Sequence, residues 1–215
     1  MTDRLITLIN KKFSLTEIDC GEFAKMKVNG MKFSIRAYKA EGLGHVSVMR
    51  AKGFFGLMKM DTLIINPTDI DLPLYSYDRI FAMGNDTLIV ELYKTMLGEY
   101  SEEGMTQVKE REKYSAIPER DPGEHWYDSI KLQSSISKKG KKAQTKELDG
   151  LTLDHFAAYL KSSDAKGNMA AKQEKASVYV NGLIEKGGPS TDVFKKAIGE
   201  AKTRQLFETI LFGTK

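Results

Sequence analysis

Apolar residues recur along this chain first at the spacing of a helix, then at that of a strand, and finally at that of a helix again. Leu5, Ile6, Ile9 and Phe13 fall at roughly helical intervals before Gly21 interrupts them, which predicts one short amphipathic helix within a segment reaching about Phe23. From Met31 to about Met96 the period drops to two. Met31, Phe33, Ile35 and Ala37 alternate with Lys32, Ser34 and Arg36, as on a strand whose successive side chains point to opposite faces. Val46 and Val48, Leu63 and Ile65, Ile80 and Phe81, then Leu88, Val90 and Leu92 continue the pattern, parted by Gly42–Gly44, Gly53–Gly56, Pro67 and Gly84-Asn85-Asp86. Parallel neighbours need crossovers of a dozen or more residues, so gaps this short predict an antiparallel meander.

Residues 97–146 are polar and read as loops with a charged helix. Beyond Gly150 the helical period returns. Leu153, Phe156, Ala157 and Leu160 share one face and Ala176, Val180, Leu183 and Ile184 another. Gly187-Gly188-Pro189 breaks the chain before a last helical segment marked by Phe194, Ile198, Phe207, Ile210 and Leu211. Strands come first and most helices last, and an apolar sheet face needs helices to cover it. The expectation is one α+β domain over 1–215, with its sheet mainly within 30–145 and its C-terminal helices within 151–213.

Composition narrows the classes. With 41% hydrophobic and 29% charged residues in 215, the chain can bury a substantial core, and general disorder is excluded. A formal charge of +4 is mild for a protein that covers long stretches of nucleic acid, so any basic surface is local. A single cysteine, Cys20, and three histidines exclude an internal disulfide and a Cys-based zinc or iron–sulfur site within one chain. Redox chemistry would have to borrow its electrons. No apolar run approaches the ~20 residues of a membrane helix, and no secretory leader is visible, so a cytoplasmic address without a membrane partner is expected.

Standard catalytic signatures are missing: there is no GxSxG, Walker loop, HExxH or GxGxxG. Gly53–Gly56 fits a turn between strands better than a nucleotide loop. His45, His125 and His155 are scattered, with His155 readable as an exposed first-turn residue and His125 lying in a polar loop beside Trp126, the only tryptophan. Asp69, Asp71 and Asp78 lie between apolar strands. Such carboxylates commonly cap turns or stay solvated; one facing an apolar pocket would instead have its pKa raised and could donate a proton near neutrality.

At this point the residues resemble a family. Asn66-Pro67, then Asp71-Leu72-Pro73-Leu74-Tyr75-Ser76-Tyr77-Asp78, resembles the central segment of the ferredoxin-dependent bilin reductases, in which a D-L-P turn precedes an aspartate on the next strand. Glu124-His125-Trp126-Tyr127-Asp128-Ser129-Ile130 is similar to the family's glutamate–tryptophan loop. Gln173 to Tyr179, Gly188-Pro189-Ser190, Phe194, Ile198-Gly199 and Leu211-Phe212 are similar to its closing helices. The matches run in order over about 30–213.

The resemblance implies a three-layer α/β/α sandwich, with a central antiparallel sheet flanked by helices and an open-chain tetrapyrrole such as biliverdin held between the sheet and the C-terminal helices. It implies no bound cofactor, with reduced ferredoxin or flavodoxin delivering electrons and the protein supplying protons. Asp78 corresponds to the family's proton-donating aspartate. Asp61 falls where one branch carries a histidine, seventeen residues before that aspartate. Lys138 falls where the family binds a propionate with arginine, and Trp126, His125 and Tyr77 complete the expected substrate-binding set. The aspartate of the family's D-P turn is Gly188 here, with Asp192 nearby. A monomer is expected. The alternative is a carrier that holds a tetrapyrrole on the same fold without reducing it. A nucleic-acid module built on the lysine-rich run KKGKKAQTK ranks last, for want of interleaved aromatics.

Overall fold

The computed structural model describes residues 1–188 and 190–215; Pro189, part of the expected break before the last helices, lies outside the described residues. Among the described residues, eight strands form one antiparallel sheet: β1 (Leu15–Ile18), β2 (Lys25–Val28), β3 (Met31–Ala40), β4 (Gly44–Gly53), β5 (Met58–Asn66), β6 (Leu74–Ala82), β7 (Asn85–Tyr93) and β8 (Ile136–Lys141). From β3 to β7 the strands pair in sequence order, each with the next, which is the expected meander. β8 extends it, and β1 and β2 both pair with β3, at opposite ends of that strand. The helices are α1 (Thr2–Asn10), α2 (Glu103–Lys109), α3 (Thr145–Tyr159), α4 (Met169–Lys186), α5 (Thr191–Ile198) and α6 (Glu200–Gln205), the last running into a wide helical turn over Leu206–Leu211.

Both faces of the sheet are buried, so alternate residues of each central strand serve two different cores. Val48, Leu63, Tyr77, Leu88 and Val90 pack with Leu5 and Ile9 of α1, Met105 and Val108 of α2, and Leu148 and Phe156 of α3. Ile35, Met49, Ile64 and Tyr93 pack on the other side with Ala176, Val180 and Ile184 of α4, Phe194 of α5 and Leu206 and Leu211 near the C-terminus. The result is the α/β/α sandwich that the resemblance implied.

Three strands escaped the periodicity. β1 and β2 are four residues each. β8 carries the lysine-rich run taken for a loop, and it is the terminal strand beyond β7, where lysines discourage further pairing. Helix α3 starts before Gly150, and its buried face adds Leu148, Leu151, His155 and Tyr159 to the expected Phe156 and Leu160, whereas Leu153 and Ala157 are only partly buried. His155 is therefore fully buried, not an exposed first-turn residue; its Nε2 meets the Ser134 carbonyl at 3.0 Å and burial lowers its pKa to about 4. Asp71 fulfils the turn-capping expectation. It accepts the backbone N–H groups of Leu97 and Gly98 at 2.9 and 3.0 Å and pairs at 3.1 Å with the fully buried Lys172 of α4, tying the β5–β6 connection to that helix. No described helix is long and apolar enough to cross a membrane.

Candidate functional site

A pocket lies between the middle of the sheet and the C-terminal helices. Its floor is one alternating set of side chains: Met60, Thr62 and Ile64 of β5, Ser76, Asp78 and Ile80 of β6, Ile89, Glu91 and Tyr93 of β7, and Met49 of β4. Tyr179 and Leu183 of α4, Thr191 of α5, and Phe207, Leu211 and Phe212 form its cover. The side wall comes from the loop before β8, through Arg120, Pro122, His125 and Tyr127. The enclosed space is about 170 Å³.

Asp78 sits mid-strand on this floor, opposite Thr62 on β5 and Ile89 on β7. The Thr62 hydroxyl donates to its carboxylate. Methionine, isoleucine and aromatic neighbours offer no cation, and desolvation raises the Asp78 pKa to about 6. Thr62 opposes that rise by stabilising the anion, and the negative charge of Glu91 adds to it. With a pKa of about 6 the group keeps its proton in mildly acidic conditions and in a minority of molecules at pH 7, and gives it up inside an apolar space.

Glu91 occupies the next inward-facing position on β7 after Ile89. It accepts a hydrogen bond from the Tyr93 hydroxyl at 2.7 Å and lies 3.8 Å from Lys131 Nζ. Tyr93, Tyr127 and Tyr179 pack as a cluster, with the Tyr93 and Tyr179 ring centres 4.2 Å apart. Burial raises all three phenol pKa values, so they stay neutral donors. His125 stacks on Tyr127 at 4.9 Å, and its Nδ1 has no hydrogen-bond partner among the described residues. Arg120, in the side wall, is held by its own backbone N–H to the Ser137 carbonyl at 2.8 Å and by its guanidinium to the Ser137 hydroxyl at 3.3 Å.

Of the six residues expected from the sequence, the fold brings Asp78 and His125 to this pocket. Trp126 stands behind them: its ring packs against Tyr127 and Tyr179 and comes close against Gly182, and its indole N–H donates to the Gly187 carbonyl at 3.0 Å. The other three are on the opposite face of the sheet. Asp61 pairs with Arg79 rather than with Asp78, and holds the N-terminal amine at 3.3 Å. Thr62, sixteen residues before Asp78, is the one that faces it, and a shift of one residue turns a side chain to the other face. Tyr77 lies wholly inside the core beneath α3, its neighbours on the strand being Ser76 and Asp78. Lys138 is buried on that same side, bonded to the Ile117 carbonyl at 3.0 Å and to Glu119 at 2.7 Å, and so is not available to a ligand in the pocket.

Sequence reasoning missed Thr62, Glu91 and Arg120. A carboxylate inside the apolar run Thr87-Leu88-Ile89-Val90-Glu91-Leu92-Tyr93 was the visible signal for Glu91. Arg120 lies in an irregular loop and gave none. Of the two methionines at the start of β5, Met60 lines the pocket and Met58 does not.

The architecture is therefore an antiparallel sheet between two helical layers, with a half-buried, protonatable carboxylate under the C-terminal helices. Among solved structures, tomato phytochromobilin synthase in complex with biliverdin shares this fold, with a TM-score of 0.77 and 17% sequence identity over 100% of this chain and 83% of that one. No family model matches the chain, and no curated protein matches its sequence.

Proposed function

We propose that this chain binds an open-chain tetrapyrrole such as biliverdin in the pocket under α4 and reduces it with electrons from ferredoxin or flavodoxin, with Asp78 as a proton donor. The observation that carries the reading is the Asp78 carboxyl, raised to about 6 on an apolar floor where a planar conjugated ligand would lie. The solved neighbour that shares the fold contains biliverdin, which supports the choice of ligand. Reduction of one double bond takes up two electrons and two protons. The electrons arrive singly from the external donor; Asp78 gives a proton to the one-electron-reduced ligand, is reprotonated from solvent, and supplies the second proton after the second electron. Arg120, lining the pocket, replaces Lys138 as the cation for a propionate, and its planar fork suits a carboxylate.

The space of about 170 Å³ is smaller than the roughly 300–1,000 Å³ of ordinary ligand pockets, so binding draws the helical cover or the Arg120–His125 loop outward. A carrier without reductase activity is the second reading, favoured by Thr62 facing Asp78 where an imidazole would supply a further proton and by Gly188 in place of a carboxylate. Titration with biliverdin, followed anaerobically by ferredoxin, its reductase and NADPH, separates the two. A saturable spectral shift that then changes on reduction supports the reductase; a shift without turnover supports the carrier; no shift rejects both.

A further inference from the structure

At one end of the sheet the β4–β5 and β6–β7 turns lie side by side, because Met58 pairs with Ala82. Their apolar residues face solvent: Phe54 is 62% exposed, Leu57 75%, Met83 95%, and Phe55 is fully exposed. Phe54, Phe55 and Met83 also have positive φ, at 51°, 55° and 50°. That conformation favours glycine or asparagine, so bulky apolar residues there are strained and add nothing to either core.

One strand position behind this tip, Lys27 pairs with Lys32, Lys32 with Lys52, and Lys52 with Lys59. Directly paired residues share a face, so four exposed ammonium groups run in a line across β2 to β5. Like charges set directly opposite repel. In the shallow concavity formed there by Lys25, Lys27, Lys32, Ser34, Arg50 and Lys52, Arg50 is paired with Asp3 at 2.6 Å, whereas among the described residues the lysines have no carboxylate within ion-pairing distance.

We propose that this end of the sheet docks on an anionic phospholipid bilayer, with Phe54, Phe55, Leu57 and Met83 entering the interface and the lysine row meeting the headgroups. Apolar points backed by cations are the pattern of interfacial attachment. The four side chains project singly from turns rather than lining a groove; a protein partner would need matching pockets, and a bilayer needs none. Hydropathy along the chain does not reveal such a site, because its apolar residues are single turn positions that only strand pairing brings together. The inference does not rest on the bilin reading.

The test is flotation of the full chain with phosphatidylcholine vesicles with and without phosphatidylglycerol. Flotation is expected with the anionic vesicles, weakening as salt rises, and little with phosphatidylcholine alone. The triple variant Phe54→Asn, Phe55→Asn, Met83→Asn, which suits the positive φ, and the double variant Lys52→Glu, Lys59→Glu should each weaken vesicle binding roughly tenfold or more, with unchanged Trp126 emission showing an intact fold. Absence of flotation with anionic vesicles overturns the proposal, as does wild-type-like flotation of both variants. Salt-sensitive binding to an acidic protein, lost in the lysine variant and unaccompanied by flotation, overturns it too and assigns the face to a protein partner.

Discussion

Thr62 stands directly opposite Asp78 across the β5–β6 pairing and donates its hydroxyl to the carboxylate, the hydrogen bond that works against the desolvation of that acid. Replacing Thr62 with valine keeps the shape and removes the donor. The Asp78 pKa should then rise further, and the alkaline limb of the pH–rate profile for bilin reduction should move to higher pH. A profile that coincides with wild type would show that Asp78 does not set that limb.

Asp78→Asn should retain biliverdin affinity, read from the absorbance titration, while reduction stops or stalls at a coloured radical. The same substitution has a stability signature. The folded pKa of about 6 lies above the ordinary 3.8, so between those values the folded state keeps a proton that the unfolded chain releases, and stability falls as pH rises through that window. The cost is fully present above about pH 6 and is on the order of 2–3 kcal/mol. Asparagine avoids it, so the variant should gain on wild type in urea midpoint when pH is raised from 4 to 7.

Arg120 and Lys138 should part company. Arg120→Ala should weaken biliverdin binding about tenfold, the scale of one lost charge-assisted hydrogen bond at a partly wet site, and leave the denaturation midpoint nearly unchanged. Lys138→Ala should instead cost about 1–3 kcal/mol of stability by stranding the Ile117 carbonyl, with little effect on affinity in the folded protein. Equal affinity losses in both would contradict the faces assigned to them.

Gly182 leaves no room for a methyl group, because the Trp126 ring occupies that position. Gly182→Ala should displace the ring, break the bond from its indole to Gly187 and cost about 1–3 kcal/mol. As the chain has one tryptophan, its emission spectrum reports the change directly.

Asp71→Ala should be among the most damaging single changes. It strands the ammonium group of Lys172, fully buried, and two backbone N–H groups, a loss of about 3–5 kcal/mol. The double variant Asp71→Ala, Lys172→Met should recover much of it in thermal unfolding.

The sequence by itself determined the elements from Met31 to Tyr93, their antiparallel order and the helical C-terminal layer, because period, turn residues and gap lengths are local properties. Among Asp69, Asp71 and Asp78, the resemblance to the bilin reductases, rather than the residue pattern, singled out Asp78. β1, β2 and β8 stayed hidden because two are short and the third is written in lysine and glycine. Only the tertiary structure decided which residues share Asp78's pocket. With helices on both faces, either set of alternating residues in a central strand can be buried, and nothing local says which set meets which layer. The β5–β6 register turned Thr62 inward to Asp78 and Asp61 away, and the β7–β8 register set Lys138 beside Leu88 on the opposite side of the sheet, where Tyr77 also lies. Glu91 and Arg120 reached the pocket through strand and loop placements that exist only once the sheet has formed.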